Sequence, residues 1–135
     1  MLTANNVVRG VLSGGGTGGH LFPLVAVARQ LQAKATVSAR TLELHYIGPK
    51  PQDAAWLTAE GIRLHGIFTG KLPRYATWRL GLELLKLPVG LVQAFGTLLA
   101  VMPDVVFAKG GYGSVPVMLA AWLYRIPVVV HESDS

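Results

Sequence analysis

The sequence predicts an α/β fold, a Rossmann-like parallel sheet with helices on both faces. Strand-like and helix-like segments alternate along the chain, which places helical crossovers between parallel strands. Two glycine loops each follow a strand and open a helix. Three apolar runs, Val7–Leu12, Val105–Phe107 and Val128–Val130, lack the alternation of a half-exposed sheet, as central strands should. Right-handed crossovers then lead to the strand order 3-2-1-4-5.

Val7 to Ser13 reads as the first, buried strand, and Gly14 to Gly19 as a glycine loop. From Phe22 to Ala33 the spacing turns helical, with Leu24, Val27, Ala28 and Leu31 on one face and Pro23 tolerated in a first turn. A second strand, Leu42 to Ile47, ends at Gly48-Pro49. Asp53 to Gly61 is a short helix, with Asp53 as its cap and the glycine closing it. Ile62 to Phe68 is the third strand. Two helical segments follow, Thr77 to Leu87 and Pro88 to Met102, the second started by Pro88 and ended by Pro103. Asp104 to Ala108 is the fourth strand, Lys109 to Gly113 a second glycine loop, and Val115 to Tyr124 a helix with Pro116 in its first turn. Ile126 to Val130 is the fifth strand. The sequence stops just past this strand, where such sheets place active-site loops; residues 1–135 therefore read as one domain of a truncated or split protein.

Hydrophobic residues make up 51% of the 135 and charged residues 14%, so the chain can fold and carries apolar surface to spare. The absence of cysteine excludes disulfides and thiolate metal sites. Twelve Lys/Arg against seven Asp/Glu give +5, which suits nucleic acid, anionic lipid or a phosphorylated ligand. Nucleic acid is disfavoured because the basic residues do not interleave with stacking aromatics. No signal peptide is expected, since the polar Met1–Asn6 runs straight into a strand. The apolar stretch from Leu80 to Met102 is interrupted by Glu83, Lys86, Pro88 and Gln93 and reads as not spanning a membrane.

The chemistry concentrates in the loops. Five of the six residues Gly14-Gly15-Gly16-Thr17-Gly18-Gly19 are glycine, which lets the chain turn tightly and bring N–H groups onto a phosphate at a helix N-terminus. Gly14, Gly16 and Gly19 also satisfy G-x-G-x-x-G, but a dinucleotide site expects an acid after the second strand, where Gly48-Pro49-Lys50 stands. No cofactor is therefore expected. His20 stands at the start of the helix, as a proton acceptor or a local cap. Lys109-Gly110-Gly111-Tyr112-Gly113-Ser114 follows the fourth strand, and strands 1 and 4 flank the switch point where ligands bind. Two anion cradles side by side suit a diphosphate. His131-Glu132-Ser133-Asp134 follows the fifth strand, where a carboxylate can orient or deprotonate a substrate hydroxyl. It lacks the second histidine of a zinc motif, and no metal site is expected.

Gly-Gly-Thr-Gly-Gly-His with a proline three residues on, then Pro-Asp-Val-Val and Gly-Gly-Tyr, then Ala-Ala-Trp and Ile-Pro-Val-Val-Val-His-Glu, in this order and spacing, resemble the MurG family of family 28 glycosyltransferases. The likeness covers nearly the whole chain. It implies the N-terminal, acceptor-binding half of a GT-B fold, whose other domain holds UDP-N-acetylglucosamine. It implies transfer of that sugar, with inversion, to undecaprenyl-diphospho-muramoyl-pentapeptide (lipid I), giving lipid II at the cytoplasmic face of the bacterial membrane. By the same resemblance Gly15, Gly16, Thr17, Gly18 and Gly19, with Gly110, Gly111 and Tyr112, hold the acceptor diphosphate, and His20 and Glu132 are polar groups of the catalytic cleft. Many members carry Gln-Asn after His-Glu, whereas this chain has Ser133-Asp134, which removes an amide donor and adds charge.

Residues 77–87 form three helical stripes: Arg79, Glu83 and Lys86; Trp78, Leu82 and Leu85; and Leu80, Leu84 and Leu87. Packing on a sheet needs one apolar stripe. The reading assigns Leu80, Leu84 and Leu87, with Trp78, to an anionic membrane surface, with Lys71, Arg74, Arg79 and Lys86 near lipid phosphates. Leu91, Phe95, Leu98 and Met102, with Val92 and Leu99 beside them, are expected in the core. Against the transferase reading stands a second one, a non-catalytic, membrane-recruiting subunit of a split lipid-linked sugar transferase.

Overall fold

A computed structural model describes residues 6–14, 18–69, 78–110 and 112–131, with the backbone alone for 18–20, 79, 83 and 112. The elements are β1 (Val7–Ser13), α1 (Gly18–Val37), β2 (Thr41–Gly48), α2 (Ala54–Ala59), β3 (Arg63–Gly66), α3 (Arg79–Val101), β4 (Val105–Ala108), α4 (Val115–Leu123) and β5 (Val128–Val130). A 3-10 turn, Tyr112–Ser114, leads into α4. Every strand pair is parallel and the order is β3-β2-β1-β4-β5, as the alternation of elements predicts.

Alternation along the central strands sorts the core into two layers. Leu12, Leu44 and Tyr46 face α1 and α2 and bury Leu21, Leu24, Val25, Ala28 and Leu57. Val11, Ile47 and Val106 face α3 and α4 and bury Ala94, Leu98, Val101, Val117, Ala120 and Ala121. The two crossover helices on each face thus close one core per face over a shared sheet.

Four expectations are corrected. First, α1 begins at Gly18, within the glycine run, so Pro23 lies inside the helix. Second, Asp53 sits at the N-cap of α2 but makes no side-chain cap hydrogen bond. Third, Val128–Val130 forms the outermost strand among the described residues, with Val129 and Val130 half exposed, because only β4 pairs with it.

Fourth, the two helical segments are one helix, α3, with Pro88 inside it, and its core face is rotated from the expected one. Gly90, Ala94, Leu98 and Val101 are buried, with Leu91 and Phe95 packed beside them. Val92, Leu99 and Met102 are exposed. Upstream, Leu80 and Leu87 are half-buried and continue the core-facing row, whereas Trp78, Leu82 and Leu85 are exposed, as is Leu84. The reason is Gly90. A Cβ there would overlap the Phe68 carbonyl oxygen, so the loop after β3 seats on the helix at this glycine and sets its rotation. The Phe68 N–H donates to Gln93 Oε1 at 2.8 Å on the next turn and fixes the same contact. By length and composition Leu80–Val101 would suffice to cross a membrane; in this fold one face of it packs on the domain.

Candidate functional site

The carboxyl ends of β1, β4 and β5 lie side by side, locked by backbone hydrogen bonds that run past the last residues of the strands. Lys109 N–H donates to the Ser13 carbonyl at 2.8 Å, and His131 N–H to the Ala108 carbonyl at 2.8 Å. The glycine loop after Ser13, the second loop from Lys109 and the segment from His131 therefore leave the sheet in consecutive positions along one edge. That edge, at the reversal of strand order around β1, is where open α/β sheets bind ligands.

The first loop is held from below. Tyr46, fully buried on β2, directs its hydroxyl to the carbonyls of Gly14 at 3.1 Å and Pro49 at 2.9 Å, one proton shared between two acceptors. Burial pushes this phenol far above its ordinary pKa, so it stays a donor. Gly48 makes room for the arrangement, because a Cβ would come within 3.1 Å of the Gly14 carbonyl and 2.8 Å of the Tyr46 hydroxyl. The helix α1 starts at Gly18. Residues Gly18 to Leu21 occupy its first turn, where N–H groups have no intrahelical partner, and no acidic side chain stands there to occupy them. Ser13, wholly buried at the end of β1, has a hydroxyl without a hydrogen-bond partner among the described residues. Such a group is rare in a folded interior, and this one sits where β1 gives way to the first glycine loop.

On the β4 side Gly110 adopts φ 81°, a left-handed conformation that an L side chain resists. The chain turns there into the short 3-10 turn and then α4, with Pro116 in the first turn as expected. Lys109 and Ser114 are buried beside this loop. His131 is exposed, its ring stacked beside Phe107 at 6.4 Å between centroids.

The structure places Gly18, Gly19 and His20 in the first turn of α1, after β1, and Gly110 and Tyr112 in the loop and 3-10 turn after β4. Gly15, Gly16, Thr17, Gly111 and Glu132 lie outside the described residues, as do Lys71 and Arg74. Sequence reasoning missed Ser13, Tyr46 and Gly48. Tyr46 stands in an apolar run and carries no local signal; its role follows only from the pairing of β1 with β2. A cavity of about 250 Å³, lined by Leu98, Met102, Tyr124 and Ile126 among others, lies at the opposite, amino edge of the sheet and takes no part in this crevice.

The model of the glycosyltransferase family 28 N-terminal domain matches residues 11–135. A protein of Treponema pallidum named UDP-N-acetylglucosamine–N-acetylmuramyl-(pentapeptide) pyrophosphoryl-undecaprenol N-acetylglucosamine transferase is 43% identical over 125 residues, covering 92% of this chain and 31% of that protein. A protein of the same name from Shouchella clausii is 40% identical over 92% of this chain and 34% of its own length. Among solved structures, MurG of Acinetobacter baumannii superposes with a TM-score of 0.68 at 28% identity, over 93% of this chain and 34% of that one. A calicheamicin glycosyltransferase shares the fold, at a TM-score of 0.64 and 16% identity. The chain spans about a third of the length of the relatives it matches.

Proposed function

Because the chain belongs to the glycosyltransferase family 28 N-terminal domain family, we propose that it is the acceptor-binding half of an inverting N-acetylglucosaminyltransferase of peptidoglycan synthesis. The acceptor is lipid I, and the donor UDP-N-acetylglucosamine binds a second domain. The observation that supports this reading is that β1 and β4 end side by side, joined by the Lys109 N–H to Ser13 carbonyl hydrogen bond, with the twenty-residue helix α1 starting at Gly18 shortly after β1. In this reading the backbone N–H groups of the two glycine loops meet the two phosphates of a polyprenyl diphosphate.

In this reading Gly15 to Gly19 and Gly110 to Tyr112 bind the diphosphate, which leaves the muramoyl C4 hydroxyl above the strand ends. That hydroxyl attacks the anomeric carbon of the donor sugar, its proton passes to a base and UDP departs. His20 and Glu132 are the candidate acceptors of that proton. The enzyme works at the cytoplasmic face of the membrane, as a peripheral protein. With Leu80 and Leu87 half-buried, the membrane contact falls to the exposed Trp78, Leu82, Leu84 and Leu85; Lys71, Arg74, Arg79 and Lys86 remain the basic residues assigned to lipid phosphates by their sequence positions.

The test is binding of a short-chain polyprenyl diphosphate to the 135-residue chain, followed by calorimetry. The parent should bind, and Gly18→Val should bind at least about tenfold more weakly, since a β-branched side chain obstructs the approach of phosphate. Equal binding by a folded Gly18→Val variant would remove the diphosphate cradle from the proposal.

A further inference from the structure

We propose that His45 and His65 form a two-nitrogen site for a divalent transition metal of the Cu²⁺ or Ni²⁺ type, on the sheet face opposite α1. Their twenty-residue separation matches no metal motif. The parallel pairing of β2 with β3 makes them diagonal neighbours, with His45 opposite Arg63 and Ile47 opposite His65. The His45 Nδ1 and His65 Nε2 atoms stand 3.0 Å apart, with the rings inclined by 22°. Imidazole nitrogens bind such metals at about 2.0–2.1 Å, so a 3.0 Å span corresponds to a ligand–metal–ligand angle of about 95°. That is close to the right angle of tetragonal Cu²⁺ or octahedral Ni²⁺ and tighter than a tetrahedral site prefers.

The surroundings suit the neutral, ligating form of both rings. Burial lowers the pKa of His45, helped by the neighbouring His65 and Arg63, and burial followed by Arg63 lowers that of His65. Arg63 and Arg9 oppose a cation here. Glu43, on the same strand face two residues before His45 and paired with Arg9 at 3.0 Å, offsets part of that charge. His45 is buried and His65 half-buried, so an ion enters from the His65 side. No group of three or more His, Cys, Asp or Glu gathers among the described residues, and water completes the coordination shell. In the metal-free pair one ring N–H points at the other nitrogen. On binding, that proton moves through solvent to the far nitrogen of the same ring, so no net proton is released at neutral pH. The ion would tie the four-residue strand β3 to β2, its one neighbour in the sheet among the described residues.

The experiment uses the full chain without a histidine tag, titrated with Cu²⁺ and, separately, Ni²⁺. Copper electron paramagnetic resonance counts nitrogen ligands, and thermal denaturation reads stabilisation. One equivalent of Cu²⁺ with two nitrogen ligands is expected, raising Tm. Loss of an outer-shell partner already costs ten- to a hundredfold in affinity, so His65→Gln and His45→Gln should each weaken binding by at least about tenfold. Replacing the other two histidines, His20→Gln with His131→Gln, should leave the two-nitrogen signal intact. Nitrogen counting on the folded fraction keeps the test decisive if a pair variant is less stable. The proposal is overturned if copper fails to bind, if the two-nitrogen signal survives either pair substitution, or if it disappears with His20 and His131. None of these outcomes bears on the diphosphate reading, which rests on the loops after β1 and β4 and not on β2 or β3.

Discussion

Gly110 shows how much one residue can decide at the crevice. Its φ of 81° lies in the left-handed region, where a Cβ costs about 1–2 kcal/mol. Gly110→Ala should therefore lower stability by about that amount in denaturant titration, or move the second loop and weaken diphosphate binding. An unchanged midpoint with unchanged binding would show that the turn is not needed. The glycines of both loops were legible in the sequence because their chemistry is local. Tyr46 was not, since its hydroxyl meets Gly14 only after β1 and β2 pair. Tyr46→Phe should cost about 1 kcal/mol, the usual net worth of one such hydrogen bond. The His45–His65 pair was hidden for the same reason, and it makes stability depend on pH. Both folded-state pKa values lie below the ordinary imidazole value, so the fold favours the neutral rings. Their contribution is full above that value and is lost as pH falls from it through the folded values. Tm measured without metal should drop from about pH 7 to pH 5, and His65→Gln should flatten the drop. A parent profile no steeper than the variant's would contradict the assignment.

At the scale of the element, α3 is where sequence and structure part. Helical spacing reveals that several apolar rows exist, but it does not say which row meets the sheet. Gly90 decides that, by letting the loop at Phe68 touch the helix backbone. Gly90→Ala should force the two apart and cost about 1–3 kcal/mol, the range for overpacking a filled site, with a matching fall in Tm. The rotation also redirects the membrane test. Leu82→Glu with Leu85→Glu should abolish salt-sensitive sedimentation with anionic vesicles and leave the fold intact, since both side chains are exposed. Leu80→Glu with Leu87→Glu should instead destabilise the domain, because those residues are half-buried on the core side. If the first pair unfolds the protein or leaves vesicle binding unchanged, the exposed row is not the membrane contact.

For the whole molecule, the strand order followed from the sequence because right-handed crossovers and the alternation of elements leave few alternatives. The central placement of β5 did not follow, because the apolar run Val128–Val130 reports what a strand is made of and not how many neighbours it has. This matters for activity. In the proposed reading, the loops at the ends of β1 and β4 hold a diphosphate acceptor on their backbone N–H groups. Transfer also needs a donor sugar held with its anomeric carbon within about 3–3.5 Å of the attacking hydroxyl. In the relatives that this chain matches, about two thirds of the protein lies outside the matched portion. Acceptor binding and catalysis should therefore separate cleanly. The 135-residue chain should bind a polyprenyl diphosphate, with Gly18→Val impaired, and yet give no transfer from radiolabelled UDP-N-acetylglucosamine to lipid I. Holding one of two reactants forgoes the orientation that makes the reaction effectively unimolecular, a loss of about 7–11 kcal/mol in the barrier. Such a loss puts any residual turnover below detection. Measurable transfer by the chain alone would mean that the donor site, too, lies within these residues, and the division of labour proposed for the two domains would fall.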